Sequence, residues 1–256
     1  MVEKTYQVET IERTENPLSD AVLAVDKKIA EDPKNADLWM ERGLRLAEQQ
    51  LMREAVEAFS KAISLDPFQG IYYRHRAHRY LSCWRFQDAC ADFTLASRLI
   101  PDNWDVWYHL GLSHYLLGEY AAAAEAYDRC YRLSPSDEKL IAVTDWYWMT
   151  LQRLGETEKA DALLEKIHEG MTYGGNLSYY KRLLFYKGLL PEKDLMSGDT
   201  LDIVTQGYGL SNYHRIHGNV DKADEIVEKV LAAGDESMWY AFGYLAAMVD
   251  KANSGK

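Results

Sequence analysis

One short part of the sequence combines positive charge with aromatic rings in a way that could bind a carboxylate. Arginines and histidines lie between Tyr72 and Tyr73 on one side and Tyr80 on the other. A guanidinium group donates two parallel hydrogen bonds to a carboxylate, while neighbouring rings cover apolar parts of the bound group. The residues that we predict to bind a partner in this way are Arg74, His75, His78, Tyr108, His109, Tyr115 and Lys139.

The same residues also have a simpler interpretation. They can be solvated helix residues whose charge is neutralised by nearby Asp and Glu. The run of arginines with tyrosines could also suggest nucleic acid. However, the chain carries a net charge of −11, which disfavours both nucleic acid and anionic membranes as partners.

The elements that must position these side chains follow from a repeat of 34 residues. A fixed period of this size indicates stacked units that bury their apolar faces only against neighbours. Within each unit the apolar residues lie on two helical faces, which predicts two antiparallel helices. The repeated positions are Pro33, Pro67, Pro101 and Pro135; Trp39, Tyr73 and Trp107; Gly43, Ala77 and Gly111; Ala55, Ala89 and Ala123; and Phe59, Phe93 and Tyr127.

This pattern resembles the tetratricopeptide repeat. Three strong units occupy residues 36–69, 70–103 and 104–137. The resemblance implies an all-α fold, a right-handed α-α superhelix (solenoid) of antiparallel helix pairs. It also implies a concave groove that holds a segment of a partner. The aromatic-rich ending of the chain is similar to that of some bacterial tetratricopeptide-repeat proteins.

The remaining parts of the chain are assigned by their departure from the repeat. Residues 1–16 are predicted to be a flexible tail, and residues 17–31 a helix that caps the first unit. Residues 138–256 are predicted to form divergent repeat-like hairpins with a C-terminal capping helix. Here we expect helices at 138–154, 158–169 and 237–251, and a glycine-rich loop at 170–176.

Some members of the family bind chaperone C-termini through a clamp for two carboxylates. In the best alignment with that pattern, Arg74 and Lys139 keep the charge, but His78 and His109 replace two asparagines. A chaperone clamp is therefore not predicted, and a looser carboxylate site stays open.

Composition sets further limits on function. Three cysteines without metal-ligand spacing predict neither disulfides nor a zinc site, and the histidine pairs 75/78 and 214/217 lack a third ligand. No catalytic or phosphate-binding motif is present, so we predict no cofactor and no metal. No signal sequence or apolar run of about 20 residues is present, which predicts a cytoplasmic protein and no membrane partner.

Two classes of function are consistent with these features. The first is a non-catalytic protein–protein interaction module, an adaptor or assembly factor whose groove holds an acidic or carboxylate-terminated peptide. The second is an enzyme or small-ligand regulator with a site near residues 170–200. The protein is expected to be a monomer, or a homo-oligomer formed through the ends of the repeat array.

Overall fold

A computed structural model describes residues 17–234 and 237–254 of the protein; the predicted tail at 1–16 lies outside this part. The described residues form thirteen α-helices and one 3-10 turn (Glu192–Asp194), without any strand, so the predicted all-α class is confirmed. None of these helices is long and apolar enough to cross a membrane. The helices are α1 Asp20–Glu31, α2 Ala36–Glu48, α3 Met52–Leu65, α4 Gly70–Ser82, α5 Phe86–Leu99, α6 Trp104–Leu117, α7 Tyr120–Arg132, α8 Asp137–Arg153, α9 Thr157–Leu164, α10 Leu177–Tyr186, α11 Thr200–Ile216, α12 Val220–Gly234 and α13 Phe242–Ser254.

The chain divides into two compact units, residues 1–113 and 114–256, with the boundary inside α6. The predicted division of the repeats between residues 137 and 138 stays a prediction. In the first unit, α2 packs against α3, α3 against α4, and α4 against α5. In the second unit, α8 packs against α7, α9 and α10, while α11, α12 and α13 pack against one another. Helices adjacent in sequence thus form the packed pairs that the repeat predicts.

A hydrogen bond explains why proline and an aromatic residue recur together. In each strong unit the ring N–H or hydroxyl of the aromatic residue donates to the carbonyl oxygen of the proline six residues earlier. The bond joins the first turn of the helix to the loop that precedes it. The proline and the aromatic residue therefore shape the same loop, which is why they recur together. The three pairs are Trp39–Pro33 at 3.0 Å, Tyr73–Pro67 at 3.1 Å and Trp107–Pro101 at 2.7 Å.

The small residue at the eighth position of each unit marks a close helix crossing. A Cβ atom added to Gly43 would lie 2.6 Å from the ring of Phe59. Ala77, one repeat later, is completely buried. Interiors of proteins are packed too densely to accept extra atoms here without movement of a helix.

We therefore expect Gly43→Leu and Ala77→Leu each to lower the free energy of unfolding by about 1–3 kcal/mol, the usual cost of overpacking. Urea denaturation followed by circular dichroism measures this change. Ala24→Leu, at an exposed position of α1, is the matched control and is expected to unfold like wild type. Unchanged stability of both buried-site variants would show that these positions are not packing seams.

Two helices are shorter than predicted. Helix α9 ends at Leu164, where the Ile167 amide donates to the Leu164 carbonyl at 3.0 Å and tightens the chain into a turn. The last helix begins at Phe242, because a similar bond of 2.8 Å from the Ala241 amide to the Met238 carbonyl closes a turn before it. Bonds of this spacing leave the α-helical pattern, and periodicity alone does not reveal them.

Candidate functional site

Four half-buried side chains share one side of α4, and we call them the α4 face: Arg74, His75, His78 and Arg79. At 3.6 residues per turn these positions span about 140° of the helix surface. The first three were predicted from the sequence. Arg79 was not predicted, because helical periodicity places it at the edge of this face, farthest around the helix from Arg74. The signal that could have revealed it is that α4 contains three arginines and no acidic residue.

Arg74 is already paired within the first unit. Its Nε donates to a carboxylate oxygen of Asp105 on α6, and its Nη1 donates to Nδ1 of His75 at 3.0 Å. Burial acts to raise the pKa of Asp105, but the neighbouring His109 and Arg74 hold this pKa well below its usual value. Asp105 is therefore ionised at neutral pH. A carboxylate from a partner must displace it or use the remaining donors of Arg74.

The two histidines of the α4 face are neutral at pH 7. Burial lowers the pKa of His75 to about 4, and the charges of Arg74 and Arg79 act in the same direction. Burial and the adjacent His109 hold the pKa of His78 well below its usual range. A histidine with its ordinary pKa of about 6.5 would gain charge below that pH and strengthen carboxylate binding. In the free protein this charge is absent, so the arginines carry the positive charge of the face.

Tyr108 and His109 are buried, each only 5% exposed. The ring of Tyr108 stacks on Trp104 at 4.8 Å, and the ring of His109 stacks on Phe93 of α5 at 5.5 Å. The Nδ1 of His109 also lies 2.8 Å from the carbonyl oxygen of Asp105. The expectation that both side chains are exposed is wrong, because α6 uses this side to pack. His109 thus lies beside Asp105, and both rings are covered by other side chains. Their role in binding stays a prediction.

The last two predicted residues, Tyr115 and Lys139, belong to the second unit. Tyr115 is 3% exposed; its hydroxyl lies 2.7 Å from that of Tyr208, and its ring meets Trp146 edge-on at 5.2 Å. The expected exposure of Tyr115 is therefore wrong, because α8 and α11 cover it. Lys139 is half-buried in the first turn of α8, where its backbone N–H donates to Ser136 Oγ at 3.4 Å. Its binding role stays a prediction.

The glycine-rich segment at 170–176 is hydrogen-bonded to the first turn of α8. The Gly175 amide donates to Glu138 Oε1 at 3.1 Å, and the Thr172 amide donates to Asp137 Oδ2 at 3.2 Å. Gly174 has a φ of +54°, and a side chain there would collide with Glu138. The backbone N–H groups that an anionic ligand would need already donate to acidic side chains. The loop gives no support to a small-ligand or catalytic site near residues 170–200.

Comparison with known proteins shows which family these repeats are similar to. The family model described as tetratricopeptide repeat matches residues 18–70 and 85–138. The Hsp70-Hsp90 organizing protein of Triticum aestivum is 39% identical over 89 residues, which cover 35% of this chain and 15% of the relative. The small glutamine-rich tetratricopeptide repeat-containing protein 2 of Mycosarcoma maydis is 33% identical over 86 residues, covering 34% of this chain and 24% of the relative. This chain thus matches less than a quarter of each relative.

Solved structures agree on the fold. The protein YrrB, described as a TPR protein with an unusual peptide-binding site, has a TM-score of 0.55 at 18% identity and aligns over 90% of this chain and all of its own. A MamA protein has a TM-score of 0.53 at 23% identity, over 57% of this chain and 78% of its own. Identities this low support the fold alone. The chain is thus similar to tetratricopeptide-repeat proteins over residues 18–70 and 85–138, and its fold is similar to theirs.

Proposed function

We propose that this protein is an adaptor that binds an acidic segment of a partner protein on one surface of its first unit. We call this surface the adaptor surface; it consists of Met40, Leu44 and Ala47 on α2 together with the α4 face. Met40, Leu44 and Ala47 occupy on α2 the repeat positions that Arg74, His78 and Leu81 occupy on α4. The surface therefore lies on the same side of both helices.

The observation that carries this proposal is the combination of apolar and cationic groups at half-exposed positions. Met40, Leu44 and Ala47 pack against the core of the first unit but stay only partly buried. Arg74 and Arg79 add positive charge on α4, in a protein whose net charge is −11. An acidic segment is attracted to such a local cationic surface, and its apolar side chains can contact α2.

The names of the relatives support a protein as the ligand. The wheat relative is an Hsp70-Hsp90 organizing protein, and a relative from Aspergillus fumigatus, 28% identical over 100 residues, is a heat-shock protein cognate co-chaperone. Both names describe proteins that work with other proteins. The family model matches residues 18–70, which contain the α2 part of the adaptor surface.

The proposal is tested with a partner captured from the native lysate, whose affinity is then measured by calorimetry for purified variants. Arg74→Ala is expected to cost about 1.5–3 kcal/mol of binding, the range for hydrogen bonds to charged groups. Met40→Ala is expected to weaken binding with less salt dependence, since it removes apolar contact only. Wild-type affinity is expected to fall as salt rises from about 0.05 to 0.5 M.

Two exposed residues of α5 provide matched controls, because α5 is the second helix of its pair and lies outside the adaptor surface. Arg98→Ala repeats the loss of an arginine there, and Leu95→Ala removes a large apolar side chain; both variants are expected to bind like wild type. If the captured partner binds Arg74→Ala and Met40→Ala as tightly as wild type, this surface is not the binding site.

A further inference from the structure

The three arginines of α4 differ in how their charge is compensated. Arg76 makes two hydrogen bonds to the buried carboxylate of Asp92, at 2.7 and 2.8 Å. Arg74 is paired with Asp105. Arg79 donates to the sulfur of Met52 at 3.5 Å and to the ring of His78. Among the described residues, no Asp or Glu lies within ion-pair distance of Arg79.

This arrangement leaves a half-buried positive charge without an anion. Water solvates it only in part, and the neighbouring Arg74 repels it. Burial and the charge of Arg74 accordingly lower the pKa of Arg79 to about 10. A thioether and a neutral imidazole are weak partners for a guanidinium group. The chain has 40 acidic and 29 basic side chains, yet none of the acids within residues 17–234 and 237–254 pairs with Arg79.

We propose, on the basis of the function proposed above, that Arg79 is the residue that binds a carboxylate of the acidic partner segment. The guanidinium offers five N–H donors, and its observed contacts use only two of its nitrogens, Nη1 and Nη2. His78 Nδ1 accepts a hydrogen bond from Arg79, so this neutral ring carries its proton on Nε2. His75, Arg74 and Asp105 border the same site. An incoming carboxylate does not compete with an internal acid at Arg79, whereas at Arg74 it must displace Asp105 or use the remaining donors.

The first experiment uses fluorescein-labelled hexaglutamate and fluorescence anisotropy. Arg79→Gln is expected to weaken its binding about 10-fold or more, which corresponds to the loss of a hydrogen bond to a charged group. Arg45→Gln is the matched control, since Arg45 occupies the same repeat position on α2 but is paired with an acid, Glu48, at 2.8 Å. The control is expected to bind like wild type. The melting temperature of Arg79→Gln is expected to be no lower than that of wild type, because the substitution removes repulsion from Arg74.

Three results would overturn the proposal: equal affinity of wild type and Arg79→Gln, no binding of hexaglutamate to wild type up to about 1 mM, or binding of inorganic phosphate only. A comparison of free and C-terminally amidated hexaglutamate identifies the carboxylate that is bound. If both peptides bind with equal affinity, Arg79 binds a side-chain carboxylate. If amidation abolishes binding, Arg79 binds the terminal carboxylate.

A second measurement follows His75 by NMR titration. Its ring senses Arg74, Arg79 and Asp105. Saturating hexaglutamate is expected to raise the pKa of His75 in wild type, since a bound anion offsets the two arginines. Arg79→Gln alone is also expected to raise this pKa, and added peptide then has little effect. If peptide leaves the pKa of His75 unchanged in wild type, the carboxylate does not bind at Arg79.

Binding of the captured partner to the three variants tests the role of Arg79 separately from the proposed adaptor function. A partner that is sensitive to Arg74→Ala and Met40→Ala but not to Arg79→Gln leaves the adaptor surface intact and refutes the role of Arg79. A partner that is insensitive to all three variants refutes both.

Discussion

Replacement of Arg182 by methionine is expected to destabilise the second unit by about 3–5 kcal/mol, because it leaves a buried acid without its partner. Arg182 on α10 and Asp145 on α8 are both completely buried, and their side chains lie 2.9 Å apart. Arg182 also donates to the carbonyl oxygen of Thr205 at 3.1 Å and to the hydroxyl of Tyr186 at 3.2 Å. One side chain therefore links three helices, and urea denaturation measures its loss.

The control for this prediction is the double variant Asp145→Leu with Arg182→Met. It removes both charges and fills similar volume, so it is expected to recover most of the stability that the single variant loses. A single variant that loses less than about 1 kcal/mol, or a double variant no more stable than the single one, would contradict the prediction.

The effect of Arg182→Met is expected to depend on pH. Burial raises the pKa of Asp145 to about 7, although Arg182 acts to lower it. A carboxyl group whose pKa is raised on folding binds more protons in the folded state, so it destabilises the fold as pH rises from about 4 through 7. Without Arg182 this pKa rises further, and the variant is expected to lose more stability at pH 8 than at pH 5. Equal losses at both pH values would mean that Asp145 does not titrate in this range.

Deletion of residues 237–256 is expected to make the protein aggregate or self-associate. Helix α13 buries Tyr244, Leu245 and Val249 against α11 and α12. Burial of three such side chains contributes about 4–9 kcal/mol, comparable with the whole stability of many proteins. The deletion also removes Asp250, which is paired with the largely buried Arg153 at 2.5 Å. An uncovered end of a repeat array presents an apolar patch to other molecules.

Light scattering and size-exclusion chromatography measure this outcome. Asp250→Asn is the matched control, since it removes the charge at Arg153 but keeps the apolar contacts of α13; it is expected to stay soluble and to lose stability only. A truncated protein that is soluble, monomeric and as stable as wild type would contradict the role of α13 as a cap. An intact protein that dimerises, and becomes a monomer on truncation, would show instead that this end is a homo-oligomer interface.

The repeat columns were predictable from the sequence because they report contacts between neighbours. Pro33 and Trp39 are six residues apart, and Gly43 meets Phe59 in the next helix. The residue types that make these contacts recur every 34 residues, so the same pattern appears several times in the sequence. The helix pairs of the first unit, and their packing residues, follow from that pattern alone.

The environment of the predicted binding residues was not predictable in the same way. Periodicity places Tyr115 on an outward face, yet Tyr208, 93 residues later in the sequence, covers it. The pattern likewise does not show that Asp105 neutralises Arg74, or that no acid in the described part of the chain pairs with Arg79. Ion pairs between helices depend on distances between side chains, and the residue types at a repeat position do not reveal those distances.

The sequence by itself thus determined the all-α class, the helix pairs of the strong units and the cationic character of α4, because these depend on local periodicity and composition. The tertiary structure decided which cations are neutralised, which aromatic rings are buried and how Arg182 and Asp145 hold the second unit together. Those properties arise from contacts between residues far apart in the chain, which do not repeat and therefore leave no periodic signal.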